Sequence, residues 1–271
     1  MNILLALLVY PGLLLTLILA VIFRAVAERQ SARRGAGRLM VSGQLLLGVV
    51  SIALMAFGMA LLPWPLHPAA DWPWVGRLAL LWIVVEGAFL LPLLPGLRSA
   101  APLVVRAASR EAQLGVAGRA IIWLSIGLAL SDGGAWSLLD LPGRAGLLLA
   151  GLLALPAAVG VGPFAAERNL NLTGMEQGLG NAAAALLRFA HTTRAAGLLA
   201  ALIVTSLHSV PTQPLFALLI MLALFVVVLL LLRQTAALPR LTLPAALRWC
   251  WWRALPLAVV AFVYLGLIGM R

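Results

Sequence analysis

Residues 160–194, GVGPFAAERNLNLTGMEQGLGNAAAALLRFAHTTR, break a chain that otherwise passes from one apolar segment to the next. Glu167, Arg168, Asn169, Asn171, Thr173, Glu176, Gln177 and Asn181 crowd into this one segment. Unpaired polar groups in hydrocarbon cost several kcal/mol each, so polar density between two membrane-length runs belongs outside the bilayer or against a protein partner. The segment therefore reads as a docking loop in an all-α, polytopic membrane protein. Working outward, 63% of the 271 residues are hydrophobic, 10% are charged, and the mean hydropathy is +1.08. No water-soluble domain needs that much apolar surface.

Apolar runs of roughly 17–25 residues are long enough to cross about 30 Å of hydrocarbon as helices. Eight are expected, at residues 3–23, 39–63, 75–95, 116–130, 141–164, 195–207, 215–232 and 254–270, all within one transmembrane domain covering residues 1–271. The sixth extends backwards through residues 181–193, which are apolar enough to be helical at the interface. The N-terminal run has no basic residues before it and reads as a retained first span with its N-terminus outside, not as a cleaved leader.

All 19 basic residues are arginines and the net charge is +11. In a soluble protein that balance would point to nucleic acid, but here the arginines sort by side of the membrane and no nucleic-acid partner is expected. With the N-terminus outside, the inner segments 24–38, 98–119, 164–194 and 233–253 hold all of them except Arg77, Arg144 and Arg271. Basic residues collect on the cytoplasmic side, so both termini are expected outside, in a bacterial plasma membrane.

Glu86 falls near the middle of the third run, where an acidic residue costs about 2–3 kcal/mol on insertion scales. Two readings stand side by side: a carboxylate on a proton or ion path, or a buried acid bonded to a neighbouring helix. Gln44, near a span end, fits structural hydrogen bonding. His67 and His208 lie in proline-flanked outer loops and His191 on the inner side, which suits surface histidines and makes no metal or haem site. Trp64, Trp72, Trp74, Trp249, Trp251 and Trp252 fall at expected water boundaries, where amphipathic rings anchor. A single cysteine, Cys250, excludes an internal disulfide or a cysteine-ligated cluster built by this chain alone. There is no phosphate-binding glycine loop or nucleophile elbow, so the chain is not expected to be an enzyme on its own.

Four segments, in order, resemble a known family. They are Tyr10-Pro11-Gly12 followed by AERQSARRGAGR at 27–38; Leu103-Val104-Val105-Arg106-Ala107-Ala108; Pro163-Phe164 with Glu167 and then Met175-Glu176-Gln177-Gly178; and RQTAALPR at 233–240 ahead of Trp249. The chain resembles the membrane subunit known as subunit 1 in respiratory complex I, a family shared with membrane-bound group 4 NiFe hydrogenases such as formate hydrogenlyase. The resemblance implies a membrane anchor that docks a peripheral redox arm and links electron transfer to proton or ion translocation. It further implies iron–sulfur clusters, with NiFe in the hydrogenase case, held by peripheral hydrogenase-like or dehydrogenase-like subunits and none by this chain. Antiporter-like membrane subunits and the lipid bilayer are the other expected partners.

Departures from the family pattern weigh against a conventional quinone site. The long amphipathic segment after Arg38 is missing, Ala165 replaces an Asp, only Glu167 and Glu176 remain of several acids, and the apolar neighbourhood of Trp123 replaces the Glu expected in the fourth span. The expected ion path is Glu86, Glu167 and Glu176. The expected docking residues are Glu28, Arg29, Arg33, Arg34, Arg38, Arg106, Arg110, Arg168 and Arg240. Replacing Glu86 with Gln is expected to stop translocation while leaving assembly intact. The alternatives are a free-standing secondary transporter that uses Glu86, and an anchor with no pumping role.

Overall fold

The first apolar run folds as two helices, α1 (Asn2–Leu8) and α2 (Leu13–Ala27), because Pro11 and Gly12 interrupt it. The Tyr10–Pro11 peptide is cis, and Gly12 passes so close to the Leu7 carbonyl that any Cβ would overlap it. The computed structural model describes residues 2–27, 43–73, 75–131, 139–165, 168–169, 172–173, 181–208, 213–235 and 238–269. Further along the chain come α3 (Gly43–Ala60), α4 (Leu78–Leu90), α5 (Leu94–Leu97), α6 (Pro102–Ser131), α7 (Leu141–Val159), α8 (Asn181–Leu207), α9 (Pro214–Thr235), α10 (Leu243–Trp249) and α11 (Leu255–Gly269).

Apart from one two-residue strand pairing, the regular structure of the described residues is helical, that of an all-α protein built to cross a membrane. Among the described residues seven helical stretches are long and apolar enough to span it, and the apolar part of α3, Leu45–Ala60, is shorter. Every expected run is represented by a helix, with shifted boundaries. The fourth was expected at 116–130, but α6 runs unbroken for 30 residues. Pro102 starts α6 where its missing N–H does no harm, and no proline follows to stop it. At 1.5 Å per residue α6 is about 45 Å long, so its first turns project beyond the hydrocarbon. Arg106, Arg110 and Glu111, expected in a loop, are on this projecting helix.

The eighth run also begins earlier than expected. α10 continues through a π-helical turn at Cys250–Ala254 into α11, so Arg248 and Arg253 are helical rather than in a hairpin loop. Of the polar segment 160–194, the described residues begin with a 3₁₀ turn at Gly162–Phe164. The segment holds a two-residue antiparallel pairing, β1 (Arg168–Asn169) with β2 (Leu172–Thr173), and from Asn181 onward it is α8.

α8 is the hub of the bundle. Over one 18-residue stretch within Ala184–Leu207, 89% of the residues are buried, against 17% over such a stretch within Leu243–Ile268 at the periphery. Small residues allow this: Ala195, Ala196, Gly197, Ala200 and Ala201 let neighbouring helices approach closely, as helix packing in lipid requires. Gly197 of α8 sits directly against Met55 of α3, and Gly151 of α7 against Leu202 of α8, where a Cβ would stand 2.6 Å from a Leu202 methyl.

α11 runs antiparallel to α7 along its whole length. Trp249 donates to the Leu153 carbonyl at 2.9 Å, Gly143 packs on Leu265, and Tyr264 donates to the Leu139 carbonyl at 3.0 Å. At the end of the bundle that holds the N-terminus of α6, Arg110 Nη2 donates to the Leu241 carbonyl at 2.7 Å, and Leu241 N–H donates to the Pro163 carbonyl at 2.9 Å. At the other end, Tyr10 donates to the Pro65 carbonyl at 2.5 Å, and Trp64 is buried against its ring.

Candidate functional site

α4 places Glu86 in the interior of the bundle, and α6 supplies its partners. Arg119 and Trp123 are four residues apart and so share one face of α6. Arg119 Nε lies 2.9 and 3.0 Å from the two Glu86 carboxylate oxygens, and Trp123 Nε1 donates to Oε1 at 2.7 Å. The Arg119 side chain is 3% exposed and that of Glu86 14%, so this is a buried ion pair with a third hydrogen bond to the carboxylate.

Phe89, one turn beyond Glu86, joins a second arginine to the first. The guanidinium of Arg119 lies 4.4 Å from the Phe89 ring centroid and that of Arg194, on α8, lies 5.3 Å from it. Arg194 is buried and its Nη1 donates to the Phe89 carbonyl at 3.1 Å, with a longer 3.5 Å contact to the Ala88 carbonyl. Ser51 of α3 donates to that same Ala88 carbonyl at 2.8 Å.

The sequence explains why the Ala88 carbonyl is free. In a helix the Ala88 carbonyl would receive the N–H of residue 92, but residue 92 is proline and has none. α4 therefore ends at Leu90 and passes into a 3₁₀ turn at Leu91–Leu93. Ser51 takes over the Ala88 acceptor that Pro92 leaves, and Arg194 bonds the Phe89 carbonyl beside it. Arg119 stands in a similar relation to α7, with its Nη1 3.5 Å from the Ala158 carbonyl in the last turn before the left-handed cap at Gly160.

Arg119 and Arg194 thus each face the C-terminal end of a helix, which carries about half a negative charge. Two helix ends and the Glu86 carboxylate together offset the two guanidiniums to about neutrality. Half-buried Glu111 of α6 also acts electrostatically on Arg194. Arg119 Nη2 and Arg194 Nε are buried without a hydrogen-bond partner. Chemically, the arrangement can hold both oxygens of a carboxylate inside the bundle and tie α3, α4, α6 and α8 together around a broken helix.

Of the expected ion path, Glu86 is in this network, while Glu167 and Glu176 lie outside the described residues. Of the expected docking residues, Glu28, Arg29, Arg33, Arg34 and Arg38 also lie outside them, and Arg168 is described only as backbone in β1. Arg106 and Arg240 are exposed, and Arg110 is half-buried on the Leu241 carbonyl, all at one end of the bundle. The side chain of Gln44 is likewise outside the described residues.

Some expectations are corrected. Arg119 and Arg194, assigned to inner loops, are buried in the bundle. Trp123, read as an apolar neighbour, is a hydrogen-bond donor to Glu86. His67 is buried rather than on the surface; Nε2 is 3.0 Å from the Ala60 carbonyl and Nδ1 accepts the Ala69 N–H at 3.1 Å, which pins the turn after α3. Among the described residues no group of three or more His, Cys, Asp or Glu could hold a metal ion. No family model matches the chain, and no curated protein matches it.

Proposed function

We propose that this protein is the membrane anchor of a larger oxidoreductase assembly of the complex I or group 4 hydrogenase kind, seating a peripheral redox arm on its basic end. The supporting observation is the linkage of three arginine-bearing segments there. Arg110 bonds to the Leu241 carbonyl and the Leu241 N–H to the Pro163 carbonyl, so the start of α6, the segment after α7 and the link from α9 to α10 form one continuous surface. Arg98, Arg106, Arg233 and Arg240 stand exposed on or around it. Charges on a rim of this kind steer docking of an acidic partner more than they add affinity.

On this reading the basic end faces the cytoplasm of a bacterial cell, and the iron–sulfur and any NiFe chemistry belongs to the arm. Glu86 is the one described carboxylate placed to couple events at the seat to an ion path, because α4 leads through α5 directly to Arg98. The test is purification in a mild detergent with identification of co-eluting chains. Recovery with an iron–sulfur subunit and antiporter-like membrane subunits is expected, and a lone homogeneous oligomer would overturn the proposal.

One observation favours a second reading, a free-standing secondary transporter. Helices interrupted within the membrane, with freed carbonyls beside an acid, form ion sites in such proteins, and α4 is interrupted at Pro92. Here Ser51 and Arg194 occupy those carbonyls and Arg119 and Trp123 occupy the acid, which leaves the anchor as the better-supported function.

A further inference from the structure

The C-terminal helix pair has a charge pattern that the seat does not account for. From residue 177 to residue 271 the chain has seven arginines and no Asp or Glu. Two of those arginines, Arg248 just before the π-helical turn and Arg253 within it, are exposed. Among the described residues, α7, α10 and α11 contain no acid, and the helices packed against this turn bring one, Glu111 of α6.

The turn itself shapes the patch. Leu255 N–H reaches back to the Cys250 carbonyl five residues earlier, and the extra residue lets Cys250 and Ala254 stay buried while Trp251, Trp252 and Arg253 between them all face outward. The Arg253 guanidinium lies 4.6 Å from the Trp249 ring centroid, which holds it beside the indoles. Trp252 is 78% exposed, and beyond it α11 presents exposed Val259, Val263 and Leu267 at four-residue intervals. That spacing makes one apolar stripe, which leads away from the arginines into the span.

Cations at the water boundary, indoles at headgroup depth and an apolar stripe below them match one molecule in all three parts. We propose that Arg248 and Arg253 bind the phosphate of an anionic phospholipid, with Trp251 and Trp252 at its glycerol level and its acyl chains along α11. The charge complementarity selects an anionic over a zwitterionic headgroup, since the described residues of the C-terminal helix pair and its turn carry cations and no acid. The proposal rests on the chain lying in a bilayer and is independent of what docks on the basic end.

Delipidated full-length protein in mild detergent, titrated with phosphatidylglycerol or with phosphatidylcholine and read by native mass spectrometry, tests it. Wild type should retain phosphatidylglycerol about tenfold better, and R248Q/R253Q should lose that preference while R248K/R253K keeps most of it. Equal retention of the two lipids by wild type, or undiminished preference in the Gln variant, would overturn the proposal. Displacement of bound lipid by millimolar inorganic phosphate would also overturn it, because the patch would then be reading a free anion. A protein that purifies alone yet keeps the lipid preference would lose the seat and keep this site.

Discussion

Arg119 has two acceptors within reach and satisfies one of them well. Its Nε bonds both oxygens of Glu86, while its Nη1 is 3.5 Å from the Ala158 carbonyl and its Nη2 has no partner. Removing the Glu86 charge would therefore strand a guanidinium that is 3% exposed, and breaking a buried pair from one side costs about 3–5 kcal/mol. Glu86→Gln should lower the thermal unfolding temperature in detergent. Glu86→Gln with Arg119→Gln should recover much of the loss, and additive losses would show that the pair does not couple. Trp123→Phe keeps the ring and removes the 2.7 Å bond, at a cost of about 1–3 kcal/mol, and an unchanged unfolding temperature would make that bond irrelevant. The sequence marked Glu86 as costly because one acid in a long apolar run is conspicuous. It hid Arg119 and Arg194 because arginines near the ends of apolar runs look like loop charges until the helix is known to continue past them.

Whether a helix continues is decided at the scale of elements, and there the pattern was legible in kind but not in extent. The apolar runs announced helices, yet α6 and α8 extend through polar stretches because nothing in them stops a helix and because neighbouring helices receive their polar side chains. α4 stops early for the opposite reason, since Pro92 and Pro95 deny N–H groups to the carbonyls before them. Close approach between α6 and α7 is set by glycine in the same way. A Cβ at Gly118 would stand 2.5 Å from the Ala158 backbone nitrogen and 2.8 Å from its Cα, and backbone cannot turn aside as a flexible side chain can. Gly118→Ala should therefore push α7 away and destabilise the bundle by about 1–3 kcal/mol. Gly266→Ala meets nothing within 4 Å and should be close to neutral, so equal effects of the two changes would mean that the α6–α7 contact is not tight.

For the molecule as a whole, the sorting of arginine gave an orientation that the bundle makes testable. Leu238 lies beside Arg240 at the basic end, and Leu66 lies in the turn after α3 at the other, and both are more than half exposed. Cys250, the single cysteine, is 0% exposed, so it should contribute little background to thiol labelling. Single substitutions Leu66→Cys and Leu238→Cys can then be probed in intact cells with a maleimide that does not cross membranes. Placing the arginine-rich end inside requires Leu66→Cys to label at once and Leu238→Cys to label only after the membrane is opened. The same experiment separates orientation from function, because a transporter and an anchor would both pass it. The reverse labelling order would put the basic surface outside the cell, where no cytoplasmic redox arm could reach it, and would leave Arg98, Arg106 and Arg240 with a different role.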